Sequence, residues 1–210
     1  ESKTVVVPNG VRNNRFFKRD KKLTPNLGMV GIVPTTKRLD RALDVVERLN
    51  KKGTSAKLFC KGHLPEDLPF MHAPGRRDEL VYYKEIYKRI ESSPYLKSNV
   101  IFDGWGNDVE QWYQKVDFVL STSDNESFHY ALADGVMAGC IPIVWPWEDA
   151  DKVYDPSWIV RNADEAVYLI EKHLNMDSDD ANHVKEKAKK LIDERYSEKT
   201  VFDDIDKLLI

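Results

Sequence analysis

The sequence predicts an α/β protein: a doubly wound, mainly parallel sheet with helices on both faces and further helices at its C-terminal end. Three observations predict it. Apolar runs centred on Val30, Phe59, Ile101, Val119 and Ile143 alternate with amphipathic stretches of helical length. The runs are nearly continuous rather than alternating, as in strands buried on both faces. Four of them end in glycine or small polar residues, at Gly31, Lys61-Gly62, Gly104 and Ser121. In a parallel sheet these four loops converge on the carboxyl edge, where such folds bind ligands.

Composition narrows the function classes. The chain has 210 residues and a formal net charge of −3, enough length to bury a core and no excess of cations for nucleic acid or an anionic membrane. No apolar run approaches a membrane span and no signal sequence is present. Cys60 and Cys140 lie at ends of apolar runs without a second cysteine or a histidine at metal-ligand spacing. A reducing, cytoplasmic setting is the expectation. The chain opens on Glu1 rather than Met, which suggests an upstream region.

The elements follow in order. Thr4 to Val7 reads as a short strand closed by the turn signal Pro8-Asn9-Gly10. Residues 15–22 form a basic loop of solvated charges. A buried strand over 27–33 leads to a helix over 37–50, with Leu39, Leu43, Val46 and Leu49 facing inward. A strand over 56–60 precedes the proline-rich loop 63–77, in which His63 and His72 are loop residues. The helix over 79–92 buries Leu80, Tyr83, Ile86, Tyr87 and Ile90. A strand over 99–102, the loop Asp103-Gly104-Trp105-Gly106 and a short helix over 109–114 follow.

Residues 117–121 form the next strand, and Ser123, Asp124 and Asn125 offer N-caps for a helix carrying Phe128, Leu132 and Val136. Gly139 ends it, and Ile141 to Val144 is the following strand. Trp145-Pro146-Trp147 makes a stiff aromatic loop, and Trp158 to Val160 reads as a last short strand. Asn162 caps one helix, a second runs over 179–196, and Ser197 caps a third.

The stretch from Ser121 to Val144 carries the chemistry. A strand, a polar loop and a helix with free N–H groups at its start make an anion site. Glu126 and Asp134 bracket it, eight positions apart (134 − 126), or about 12 Å along a helix axis at 1.5 Å per residue. That spacing suits a ligand with hydroxyls at both ends and charge between them. An acid in a first helical turn also stabilises the helix through its dipole, and Asp134 also reads as a solvated surface residue.

This stretch resembles the signature of retaining nucleotide-sugar glycosyltransferases of the two-domain GT-B fold, in their group 1 family. That pattern is Glu, Gly or Ser, Phe, Gly, a second Glu eight positions after the first, then small residues, Gly and Pro. Glu126, Ser127, Phe128 and Gly139 match it. His129 stands where the family has Gly, Asp134 where it has Glu, and one extra residue precedes Pro142. The run from Val7 to Val11 resembles the family's entry to its C-terminal domain. Gly31 and Lys37 match the family's strand end and helix start, but Ile32 takes the place of an arginine.

The resemblance implies a donor-binding domain over residues 1–175, with 176–210 as helices packing on it and towards an N-terminal acceptor domain absent from this chain. It implies that Glu126 bonds the donor hexose and stabilises charge at the anomeric carbon. Ser127, Phe128, His129, Tyr130 and Ala131 would present backbone N–H groups to the diphosphate, with Lys37 adding a positive charge. Asp134 would take the ribose hydroxyls, while Gly31 and Gly104 would allow the ligand to approach the backbone. His129 would donate to a phosphate oxygen in place of the missing arginine, or pack beside Tyr130. Trp105 would stack on the base or fill an apolar niche. No metal or other cofactor is implied, and no Asp-x-Asp is present to hold one. Two rivals remain: a nucleotide-sugar epimerase of the same fold, and a non-catalytic scaffold, for which Ile32, His129 and Asp134 are the best evidence.

Overall fold

The computed structural model describes residues 7–12 and 22–208. The expected strand at Thr4, apart from Val7, and most of the basic loop over 15–22 lie outside these residues. Five strands form one sheet: β1 (Asn26–Val30), β2 (Lys57–Lys61), β3 (Val100–Gly104), β4 (Phe118–Ser121) and β5 (Ile141–Val144). Their order is β3-β2-β1-β4-β5 and every neighbouring pair is parallel. The helices are α1 (Leu39–Lys51), α2 (Arg77–Ser92), α3 (Val109–Tyr113), α4 (Tyr130–Met137), α5 (Ala150–Val153), α6 (Ala163–Leu174), α7 (Ser178–Tyr196) and α8 (Glu198–Leu208).

Side-chain alternation splits the interior into two layers. Leu27, Met29, Leu58, Cys60, Phe118, Leu120, Ile141 and Ile143 point to one face, where α1, α2 and α6 cover them. On α1, Leu39, Ala42, Leu43, Val45, Val46 and Leu49 are all buried, an inner stripe at helical spacing. Val30, Phe59, Val119 and Val144 point to the other face, under Trp112 and Tyr113 of α3, Leu132 and Val136 of α4, and Ile192 of α7. Burying each large aliphatic chain contributes about 1.5–3 kcal/mol, so both faces carry stability.

Gly135 fixes how closely α4 lies on the sheet. A Cβ there would stand 2.9 Å from the side chain of Val119, inside any real contact distance. Gly139, at φ +83°, then reverses the chain: its N–H bonds to Val136 and that of Cys140 to Gly135, both at 2.9 Å.

Some boundaries differ from the sequence reading. Residues 35–37 form a single 3₁₀ turn and α1 opens at Leu39, after Arg38 in a left-handed conformation. Loop 63–77 contains three short 3₁₀ turns, each begun by a proline. The expected strand at Trp158 to Val160 is one bridge, Val144 to Ile159, because Pro156 opens a 3₁₀ turn there instead. Asn162 and Ser197 do cap α6 and α8, accepting from Glu165 and Thr200. Strand residue Val11 bridges to Ser197 and ties the entry segment to the α7–α8 junction. On α8, Val201 is buried while Phe202 and Leu208 remain exposed. Among the described residues no helix is long and apolar enough to cross a membrane.

Candidate functional site

Because every strand runs the same way, the loops after β1, β2, β3, β4 and β5 share one edge of the sheet. The order reverses between β1 and β4, and the crevice outside that point is where open α/β sheets hold ligands. Lys37, from the loop after β1, and Glu126, from the loop after β4, meet in this crevice. The ammonium lies 2.5 Å from the Glu126 carboxylate, which also accepts from the Ser123 hydroxyl at 2.6 Å.

The two loops are laced together. The Thr122 hydroxyl donates to the Lys37 carbonyl at 2.7 Å, and the Asp124 amide donates to the Thr36 carbonyl at 2.8 Å. The Asp124 carboxylate receives Arg38 at 3.0 Å and Arg41 at 2.7 Å. Arg41 also donates to the Thr122 carbonyl, and Arg38 is forked onto Asp40. These bonds explain a correction. Ser123, Asp124 and Asn125 do not cap a helix, and Glu126 is not in one: residues 122–129 are a loop, and α4 opens at Tyr130 with His129 at its N-cap, at φ +59°. Polar side chains spent on the opposite loop offer the backbone an alternative to the helix. The 12 Å axial separation of Glu126 and Asp134 therefore does not apply.

Phe128 anchors the end of the loop. Its ring is buried against Tyr130, Tyr154 and Tyr196, and Tyr154 donates its hydroxyl to the Phe128 carbonyl. Ser127 and Tyr130 are exposed, Ala131 and Asp134 half-buried. The backbone amides of Ser127, Phe128, His129, Tyr130 and Ala131 donate to no acceptor among the described residues. Five donors at a helix start form a cradle for an anion.

His129 turns inward. Its Nδ1 lies 2.6 Å from the hydroxyl of the fully buried Ser121 and 3.9 Å from Glu126, with the side chain only 7% exposed. Burial pushes this imidazole down to about 4, against the opposing pull of Glu126, so it is neutral at pH 7. Burial alone would raise the Glu126 carboxyl, but His129, Lys37 and Ser123 outweigh it and hold the group below the usual carboxylate range. Ile32 is buried in the core, so it adds no polar group to the crevice.

At the other half of the edge, Gly31, Gly62 and Gly104 all take positive φ, and a Cβ at Gly31 or Gly104 would meet nothing within 4 Å. Backbone is thus bare at the ends of β1 and β3. Trp105 fills no niche: it is 65% exposed and stacks on His63 at 5.4 Å. Lys61 is buried at the end of β2 and bonds to Asp108 at 2.7 Å. Sequence reasoning missed Ser121, Arg38, Arg41 and the bracing role of Asp124; the charged run after Lys37 was the signal for the arginines. Among the described residues no three His, Cys, Asp or Glu side chains are grouped to hold a metal ion.

No family model and no curated protein matches the sequence. Solved structures do match. TarM is 20% identical at a TM-score of 0.69, over 99% of this chain and 38% of that one. Anabaena Alr3699/HepE in complex with UDP is 15% identical at a TM-score of 0.77, over 98% of this chain and 57% of that one. The C-terminal domain of LpcC, a glycosyl transferase group 1 family protein from Francisella tularensis, matches along its entire length. It is 16% identical at a TM-score of 0.67 and covers 90% of this chain. The chain has the fold of a GT-B C-terminal domain. It spans well under two thirds of TarM and HepE, and at these identities the likeness is one of fold. In that GT-B frame, Lys37, Glu126 and the amide cradle stand at the strand-order reversal of the sheet.

Proposed function

We propose that this chain is the donor-binding domain of a retaining glycosyltransferase, one that moves a sugar from a nucleotide-diphosphate sugar to an acceptor. The observation that carries the reading is the meeting of Lys37 and Glu126 beside the amide cradle. A cation and free N–H groups suit a diphosphate, and a carboxylate next to them suits the hydroxyls of the attached sugar. HepE, with the same fold, is a complex with UDP.

In this reading Lys37 and the amides of Ser127, Phe128, His129, Tyr130 and Ala131 hold the diphosphate, and the His129 ring supports the loop from below. Glu126 bonds the sugar, Asp134 the ribose, and the bare backbone at Gly31 and Gly104 admits the nucleoside. As the sugar–phosphate bond breaks, negative charge grows on the leaving diphosphate. Donors already in place meet that charge without reorganising, which is where the rate enhancement arises. The reaction needs no metal or other cofactor, and proceeds in the cytoplasm. This chain spans 38% of TarM and 57% of HepE, so in this reading it is the donor-binding part of the cleft and turnover is expected of the two-domain enzyme.

The test is calorimetry with nucleotide diphosphates and their sugar conjugates. Parent protein binds both, and Glu126→Gln keeps diphosphate affinity within about two-fold while losing the increment due to the sugar, of the order of one charged hydrogen bond. An equal loss for both ligands would move Glu126 onto the phosphates. No binding of any nucleotide would favour a scaffold, and sugar turnover without acceptor an epimerase.

A further inference from the structure

A cavity of about 300 Å³ opens at the other edge of the sheet, between α6, α7 and Ile141, the first residue of β5. That volume is at the lower end for small-molecule sites. Leu169, Met176 and Val184 line it, half-buried and with apolar surface still open. Two cations line it as well, Lys172 and Lys187, both exposed and neither in an ion pair among the described residues. Asp155, the acid of the lining, accepts from the Ser157 amide at 2.9 Å and forms no ion pair with either lysine. The decisive group is His173, 8% exposed in the wall of this cavity. Its Nδ1 lies 2.7 Å from the Leu169 carbonyl, which can only accept, so Nδ1 carries the proton. Burial holds this imidazole below the ordinary histidine range, so at pH 7 it is neutral and Nε2 is a bare acceptor. Nε2 has no partner among the described residues and yet is not sealed off, and the open space that this ring lines is the cavity. A side chain nine-tenths buried with its acceptor unbonded calls for a partner from outside.

We propose that this cavity binds a small hydroxylated organic acid. Its anionic group is drawn by Lys172 and Lys187, its apolar body lies against Leu169, Met176 and Val184, and its hydroxyl donates to His173 Nε2. Each part follows from one feature of the lining. Two unpaired lysines in a chain of net charge −3 make a local positive field, and an anion is what that field attracts. The apolar wall disfavours sugars and inorganic ions, because it offers nothing in place of their hydration. The bare Nε2 asks for a donor, so a hydroxylated acid binds more tightly than its deoxy analogue. A metal ion is the other ligand that a neutral imidazole takes, but His173, His183 and Asp155 are not grouped to hold one. The site is independent of the donor reading, since it stands where β5 begins and shares no lining residue with the donor crevice.

Backbone amide NMR on the full chain tests this, with 4-hydroxyphenylacetate, phenylacetate, tyramine and inorganic phosphate as probes. Phenylacetate lacks the hydroxyl, tyramine carries a cation in place of the acid, and phosphate lacks the apolar body. The expected result is saturable shifts at Leu169, Lys172, His173, Val184 and Lys187 with 4-hydroxyphenylacetate. Phenylacetate should bind the same residues about five-fold more weakly, the worth of one hydrogen bond, and tyramine and phosphate should not saturate them. Lys172 and Lys187 are exposed, so replacing both by Gln carries no folding risk, and the double variant should weaken both acids by about five-fold. His173→Phe keeps a ring but removes the acceptor, so the two acids should bind it equally. Saturating UDP should leave the shifts in place. Their loss would put the acid in the donor crevice and overturn the proposal. Tyramine binding as well as the acids, phosphate alone producing the same shifts, unchanged affinity in the double lysine variant, or no saturable shift with either acid would overturn it as well.

Discussion

The two halves of the carboxyl edge are built differently. Between β1 and β4 the loops are braced by Thr122, Asp124, Arg38 and Arg41, and the polar groups behind them, Ser121, Thr122 and Ser123, are buried. Between β2 and β3 the loops are tied by the Lys61–Asp108 ion pair and by the Gly62 amide donating to the Gly104 carbonyl at 3.0 Å, and Trp105 lies open on His63. Chemistry at a developing charge needs donors that do not move, so in the proposed reading the first half is the one suited to a diphosphate and a reacting sugar. Recognition of a flat ring tolerates adjustment, and the second half suits it.

The comparison can be broken by substitution, and Lys37→Met should have the largest effect. It removes the cation and leaves Glu126 half-stripped in a site where only 12% of its side chain is exposed. Nucleotide-diphosphate affinity should fall by about 1.5–3 kcal/mol, or ten- to a hundred-fold, read by calorimetry. Asp124→Asn comes next. It leaves Arg38 and Arg41 without their shared acid, but all three groups are partly exposed, so denaturant titration should show a loss of only about 1 kcal/mol. Diphosphate affinity should weaken with it, because the loop carrying Glu126 loses its brace.

The braced half also predicts a pH dependence. His129 has its pKa lowered in the fold, so below the ordinary histidine range the unfolded chain binds a proton that the folded chain refuses. Stability should therefore be level above about pH 6.5 and decline from there towards pH 4. The lowered Glu126 adds a loss of the same sign at the acid end. Thermal melts of His129→Asn should lose part of the slope above pH 5, the remainder belonging to His173, which burial also holds below the ordinary histidine range. The smallest effect belongs to the open half. Trp105→Ala removes an exposed ring and should shift stability by less than about 0.5 kcal/mol. Uridine nucleotides should weaken by about five-fold if the base stacks there, and fluorescence titration reads that change.

Much of the fold was legible because buried parallel strands leave continuous apolar runs and the helices between them keep their period. Val30, Phe59, Ile101, Val119 and Ile143 fall on five adjoining parallel strands. The start of α4 was not legible. Ser123, Asp124 and Asn125 are good N-caps in isolation, but their chain segment bonds to residues 85 to 88 positions away, at Thr36, Lys37 and Arg38, and no local pattern records that. For the same reason the sequence reads Glu126 at a helix mouth and does not show its partners, Lys37 and Ser123. His129 was marked by its departure from glycine. Its inward turn follows from buried Ser121, which reads from sequence only as a strand end.

The central claim is that a nucleotide diphosphate binds where Lys37, Glu126 and the start of α4 meet. Backbone amide NMR during a UDP titration tests it most directly. The account predicts the largest shifts at Gly31, Lys37, Ser127, Phe128, His129, Tyr130 and Ala131, with smaller ones at Gly104 and Trp105. Shifts gathered instead at the cavity between α6 and α7, around His173 and His183, or none at saturating UDP, would contradict it.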